Sequence, residues 1–232
     1  MKKIFITTSW DDGHKLDMKL VELLRKYKIA GTFYISPENR EIEPKDRLVK
    51  GDIKDISKDF EIGAHTMTHP ILTKINDKLA EKEIIESKKY LENIIGKEVT
   101  SFCYPAGYYK EKHKEMARRA GFTLARTVER FSLSKSTDVF SLPTTVHAYR
   151  HWSDIFPIFR HAGPGHFFKQ YFNWDELAIS LFDEVLSSGG VFHLWGHSCE
   201  IEERRDWWRL ERVLAHISGH LEVNYVCNNE LV

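Results

Sequence analysis

The sequence predicts an α/β fold: one domain over residues 1–232 in which parallel strands, each followed by a helix, close into a distorted barrel of the (β/α)7 type. Three observations carry this. Short β-branched or aromatic runs alternate with apolar residues at helical spacing along the whole chain. A length of 232 residues suits one domain with a sizeable core. Polar motifs fall at the C-terminal ends of the apolar strands, where parallel barrels keep their chemistry.

The elements follow in order. Residues 3–8 (KIFITT) make the first strand, ending in Trp10-Asp11-Asp12-Gly13. Leu16, Leu20, Leu23, Leu24 and Tyr27 recur at helical spacing over 16–28, and Gly31 to Ile35 form a second strand before Pro37. Residues 60–64 read as a strand. Residues 76–96 read as a long charged helix that starts at an Asn76 cap and stops at Gly96. A strand over 101–104 runs into Pro105 and Gly107; a helix over 110–120 and a strand over 122–126 follow. Residues 174–188 form a helix ended by Gly189-Gly190, 191–195 a strand, 203–219 a helix and 223–226 the last strand. Residues 147–172 interrupt the alternation with His147, Arg150, His151, Trp152, Phe156, Phe159, Arg160, His161, His166, Phe167 and Phe168. That stretch reads either as a long connection walling a pocket or as a packed surface excursion.

Lys+Arg and Asp+Glu balance at 34 each, so no net field favours nucleic acid or an anionic membrane. No apolar run approaches the ~20 residues that span a bilayer. The apolar stretch after Lys2-Lys3 is too short for a signal-peptide core, so a cytoplasmic location is expected. Cys103, Cys199 and Cys227 are far apart and odd in number, which argues against a disulfide framework.

Asp11-Asp12 ends the first strand, where adjacent carboxylates point in different directions and can do different jobs: one binds a cation, the other stays free as a base. His65 and His69, four apart, are read as lying on one face of a single helical turn, so that both rings reach one metal. Four His pairs share that spacing (65/69, 147/151, 193/197, 216/220). The first is singled out by the strand before it, Pro70 after it and the acidic pair at another strand end. Two His and one Asp leave coordination sites for water and substrate. The turn at Pro105 and Gly107 can aim a backbone N–H at an oxyanion. His193, Trp195 and His197 share parity on one strand, and His197, at its tip, is favoured over His193 as general acid.

These residues resemble the polysaccharide deacetylases of carbohydrate esterase family 4. The matching segments are Thr8 to Gly13, His65-Thr66-Met67-Thr68-His69, Cys103 to Gly107 and Trp195-Gly196-His197, with Gly31-Thr32-Phe33-Tyr34 like the family's second strand. The resemblance implies a divalent metal on Asp12, His65 and His69, commonly zinc, with cobalt, manganese or nickel as alternatives. It implies Asp11 as general base, the Tyr104 N–H on the oxyanion and His197 as general acid. Trp10, Pro105, Gly107, His193 and Trp195 are the expected substrate-binding set. Two family residues have no match. The arginine that braces the catalytic aspartate is Cys103 here, with Arg126 as its candidate replacement. The aspartate that tunes the acidic histidine is absent, with Asp175 as a candidate. The expected substrate is an acetylated amino sugar or glycan precursor, soluble, nucleotide-linked or lipid-linked. The rival readings are an amidase acting on a non-sugar amide and a sugar-binding protein without catalysis.

Overall fold

The computed structural model describes residues 2–232. Eight strands and eight α-helices alternate along it: β1 (Ile4–Asp12), α1 (Asp17–Tyr27), β2 (Thr32–Ile35), α2 (Lys50–Ile56), β3 (Glu61–Ala64), α3 (Asp77–Ile95), β4 (Ser101–Cys103), α4 (Glu111–Arg119), β5 (Leu124–Arg126), β6 (Val146–His147), α5 (Ile155–Phe172), α6 (Trp174–Ser188), β7 (Gly190–Gly196), α7 (Ser198–Arg204), α8 (Trp207–Ile217) and β8 (Asn224–Tyr225). The strand order is β5-β4-β3-β2-β1-β7-β6, every neighbouring pair is parallel, and β8 pairs with the start of β1.

The sheet curls into a parallel half-barrel. Its outer strands β5 and β6 are not paired with each other. Irregular chain fills the gap: Leu142 N–H donates to Ala125 O at 2.9 Å, and Thr145 N–H to His193 O at 2.9 Å.

Local signals explain the element ends. The Asn76 side chain accepts from Leu79 N–H at 3.0 Å, capping α3, and Gly96 (φ 68°) closes it in the left-handed region. The helix expected over 203–219 is α8, which starts only at Trp207 because Arg205 turns left-handed (φ 59°) after α7. The expected elements omitted α2, the two-residue β6, α7 and α5, a helix of 18 residues inside the stretch read as a connection over 147–172.

Strand β1 organises the interior. Its odd positions carry polar side chains into the barrel: Thr7 Oγ1 donates to Asn228 Oδ1 at 2.8 Å, Ser9 Oγ meets His193 Nε2 at 2.8 Å, and Asp11 meets Arg126. Its even positions Ile6 and Trp10 are fully buried in the apolar core. Trp10 was expected to bind substrate. Its ring is instead enclosed and its indole N–H donates to Thr8 Oγ1 at 3.2 Å, so it is a packing residue.

Candidate active site

Four loops meet at the C-terminal ends of β1, β3, β4 and β7. Of the seven non-glycine residues with positive φ among the described residues, four lie at the end of β1 or on the loops after β3 and β4: Asp12 (81°), Thr66 (62°), His69 (61°) and Ala106 (53°). Each costs of order 1–3 kcal/mol and persists only where the surroundings fix it. The segment from His65 to His69 is therefore not the helical turn expected from the spacing: Thr66 and His69 bend it back on itself. Glu83 of α3 holds the bend. Its carboxylate accepts from the Met67 and Thr68 N–H groups at 2.9 and 2.8 Å and from Thr68 Oγ1 at 2.8 Å. Sequence reasoning missed this residue, which sits within a helix that reads as uniformly charged.

The bend brings both imidazoles to Asp12. His65 Nε2 lies 3.6 Å and His69 Nε2 3.3 Å from Asp12 Oδ1, and the two nitrogens are 3.2 Å apart. Donors held about 2.1 Å from one tetrahedral ion sit about 3.4 Å from one another, so the spacing fits a metal. Asp12 Oδ1 is also buried without a hydrogen-bond partner. Behind the triad, His65 Nδ1 is 2.8 Å from Cys103 O and His69 Nδ1 is 3.0 Å from a Glu41 carboxylate oxygen. The Cys103 contact fixes the His65 ring with Nε2 toward the site. Burial, helped by His69, lowers the His65 pKa to about 4, so its ring is neutral and ready to ligate.

Asp11 points the other way. Burial alone raises a carboxyl pKa, but Arg126, with smaller help from His65 and His197, brings Asp11 down to about 2. The Arg126 Nη2 contacts both carboxylate oxygens, and both side chains are essentially solvent-free. Cys103 and Arg126 are cross-strand partners on β4 and β5. The guanidinium thus reaches Asp11 from the strand next to the one that carries Cys103.

On the opposite side of Asp12, His197 Nε2 lies 3.9 Å from Asp12 Oδ2. Its Nδ1 is 2.7 Å from Glu200 Oε2, which is 3.2 Å from His147 Nε2. Burial lowers the His197 pKa, but Glu200, Asp12 and Asp11 together raise it to about 9. His147 stacks on Trp195 at 3.9 Å between ring centroids, and Arg126 lies 4.8 Å from that indole. Trp195 therefore lines the interior beside the site.

Several expected residues sit elsewhere. Asp175 is bound to Arg209 and Arg212 of α8, so it is engaged away from His197, and Glu200 occupies the partner position. The signal available was the His197-x-x-Glu200 spacing at a strand-to-helix junction. His193 is buried beneath the site on Ser9 and is a core histidine rather than a substrate ligand. The Tyr104 N–H donates to Arg126 O at 3.3 Å, so it is not free for an oxyanion. In the same segment, Ala106 N–H has no backbone acceptor. Pro105 and Gly107 shape this turn; at Gly107 (φ 71°) a Cβ would meet Val128 at 2.3 Å.

Comparisons with known proteins agree with this architecture. The polysaccharide deacetylase family model matches residues 1–125 of the 232. A putative polysaccharide deacetylase of Bacillus subtilis is 24% identical over 139 residues, 59% of this chain and 49% of its own. A peptidoglycan-N-acetylglucosamine deacetylase of Bacillus cereus is 31% identical over 119 residues, 50% of this chain and 53% of its own. The chain spans about half the length of these curated relatives. In fold, it is similar to a putative polysaccharide deacetylase from Mycobacterium smegmatis, with TM-score 0.67 at 14% identity over 99% of this chain and 89% of that one. More than half of the chain matches the family model along the segment that supplies Asp11, Asp12, His65, His69 and Cys103 to Gly107, and the chain belongs to the polysaccharide deacetylase family.

Proposed function

We propose that the protein is a metal-dependent hydrolase that removes the acetyl group from an acetamido sugar or glycan precursor. The observation that carries this reading is the division of labour between neighbouring carboxylates. Asp12 faces two Nε2 atoms at ligand spacing, while Asp11 is held ionised by Arg126.

A divalent ion on Asp12, His65 and His69, zinc first and cobalt, manganese or nickel as alternatives, would act as a Lewis acid on the amide carbonyl and lower the pKa of water. Asp11 takes the proton of the attacking water, with Arg126 fixing its orientation. His197, its pKa raised to about 9, is doubly protonated near neutral pH: Nδ1–H donates to Glu200, and the Nε2 proton goes to the departing amine. The Ala106 N–H, in place of Tyr104, is the donor available to the developing oxyanion. Trp195, stacked on His147 beside Arg126, would bound the acyl end of the site and favour a small group there.

The test is acetate release from a panel of N-acetylated sugars and sugar nucleotides, with metal-free protein and after adding each metal. Metal-dependent acetate from any member supports the reading. No acetate from protein shown to bind metal sinks it. A second reading, hydrolysis of a small non-sugar amide, draws on the bulk of Trp195; small amides belong in the same panel. Arg126 on Asp11 speaks against a silent sugar binder, since binding alone needs no braced base.

A further inference from the structure

The balanced net charge conceals a local asymmetry. Six of the twelve large exposed apolar side chains among the described residues lie between 152 and 172: Trp152, Ile155, Phe156, Phe159, Phe168 and Phe172. The rings are contiguous. Phe159 meets Phe167 at 5.5 Å, Phe167 meets Phe168 at 5.2 Å and Tyr171 at 5.4 Å, and Phe168 stacks on Phe172 at 6.5 Å. Helix α5, kinked at Gly163 ahead of Pro164, buries Ile158, Gln170 and Tyr171 against the protein and turns the exposed rings outward. A contiguous outward apolar patch of this kind marks an interaction surface.

The charges on this segment have one sign. Arg150 and Arg160 are its cations facing outward, Lys169 being paired with Glu176 of α6 at 2.9 Å, and α5 itself contains no carboxylate. Asp154, just before it, is buried against Arg130. The Arg150 guanidinium lies over Trp152 at 4.7 Å and Phe172 at 5.3 Å, which places a cation among the rings. Aromatics mixed with basic residues mark a segment that lies in the plane of a membrane surface. A second copy fits less well, because a self-paired patch would press like charges together. No helix among the described residues is long and apolar enough to cross a bilayer, so the contact is interfacial.

We propose that α5 and the residues just before it dock the protein on an anionic lipid surface. The exposed rings enter the boundary between headgroups and acyl chains, and Arg150 and Arg160 meet lipid phosphates. A cleft of about 460 Å³ beside α5 is lined by Phe131, Leu133, Phe156, Pro157 and Leu181, with Arg160, His161 and Glu184 on its polar side. The patch begins three residues after His147, which joins the catalytic cluster through Glu200. Resting on the deacetylase reading, this juxtaposition selects an acetamido sugar carried on a lipid phosphate as the substrate class.

The test is sedimentation of the full chain with vesicles of phosphatidylcholine, alone or mixed with phosphatidylglycerol. Binding is expected to favour the anionic vesicles. The double variant Phe156→Ser/Phe168→Ser is expected to lower partitioning tenfold or more, and Arg160→Glu to remove the preference for phosphatidylglycerol. Unchanged circular dichroism and unchanged acetate release from a soluble substrate establish that the variants are folded. Folded protein that ignores both vesicles overturns the proposal. So does a concentration-dependent dimer abolished by the same substitutions. Acetate release without vesicle binding sinks docking alone, whereas vesicle binding without any acetate release sinks the deacetylase reading alone.

Discussion

Asp11 and Asp12 are chain neighbours, yet their surroundings drive them to different chemistry. Asp11 lies on the inward parity of β1 and is neutralised by Arg126, whereas the positive φ of Asp12 swings its carboxylate toward His65 and His69. Asp11→Asn keeps the shape and removes the proton acceptor. It is expected to retain metal, measured by titration of metal-free protein, and to lose about 10²–10⁴-fold in kcat. An active Asp11→Asn variant would remove the base assignment. Arg126→Ala leaves a buried carboxylate without its counter-charge and is expected to cost about 3–5 kcal/mol in a denaturant titration. A loss of under about 1 kcal/mol would mean that water replaces the guanidinium at Asp11.

At the scale of elements, the sequence was readable where a local rule applied. The Asn76 cap and Gly96 stop bounded α3 to within a residue, and the polar motifs lie together at the C-terminal ends of parallel strands. Legibility failed where geometry is set by tertiary contact. Nothing in His65-Thr66-Met67-Thr68-His69 announces two left-handed residues, because Glu83, fourteen residues beyond His69, imposes them. Arg126 was found as a candidate, but its reach to Asp11 depends on the register between β4 and β5. Glu200 is not legible because it lies ahead of the helix expected from residue 203, on the seven-residue α7, which is too short to announce itself by an apolar period. Helix α7 begins directly after His197, so its third residue presents a carboxylate to Nδ1. Glu200→Gln keeps a hydrogen-bond acceptor but removes the charge. It is expected to lower kcat about tenfold or more while leaving KM and metal affinity nearly unchanged. An equal fall in metal affinity would show Glu200 to be serving the metal triad instead.

At the scale of the whole molecule, the polar barrel interior makes stability depend on pH in two opposed ways. Burial lowers the pKa of His147 and His193 to about 3 and that of His65 to about 4, all from an ordinary 6.5. Between about pH 4 and 6.5 the unfolded chain protonates these three rings and the folded one does not, so each adds stability as pH rises. Asp17 acts oppositely. Its carboxyl is fully buried, with one oxygen accepting from Ser198 Oγ at 2.5 Å and the other unpartnered, and burial raises its pKa from 3.8 to about 8. The folded state keeps that proton after the unfolded state has released it, so stability falls from about pH 4 to 8. Above 6.5 the raised pKa of His197, about 9, works in the same direction. One proton of difference is worth about 1.4 kcal/mol per pH unit. Metal-free protein is therefore expected to gain stability from about pH 4 to 6.5 and to lose it from 6.5 to 8, with its maximum near 6.5. Asp17→Asn preserves the shape of the protonated carboxyl and removes one of the two alkaline contributions. Its alkaline slope in a series of denaturant titrations is expected to be shallower, by about 1 kcal/mol per unit, and its acid slope steeper. Coincident profiles for the two proteins would show that Asp17 titrates at its ordinary value, with water reaching its free oxygen beneath the site.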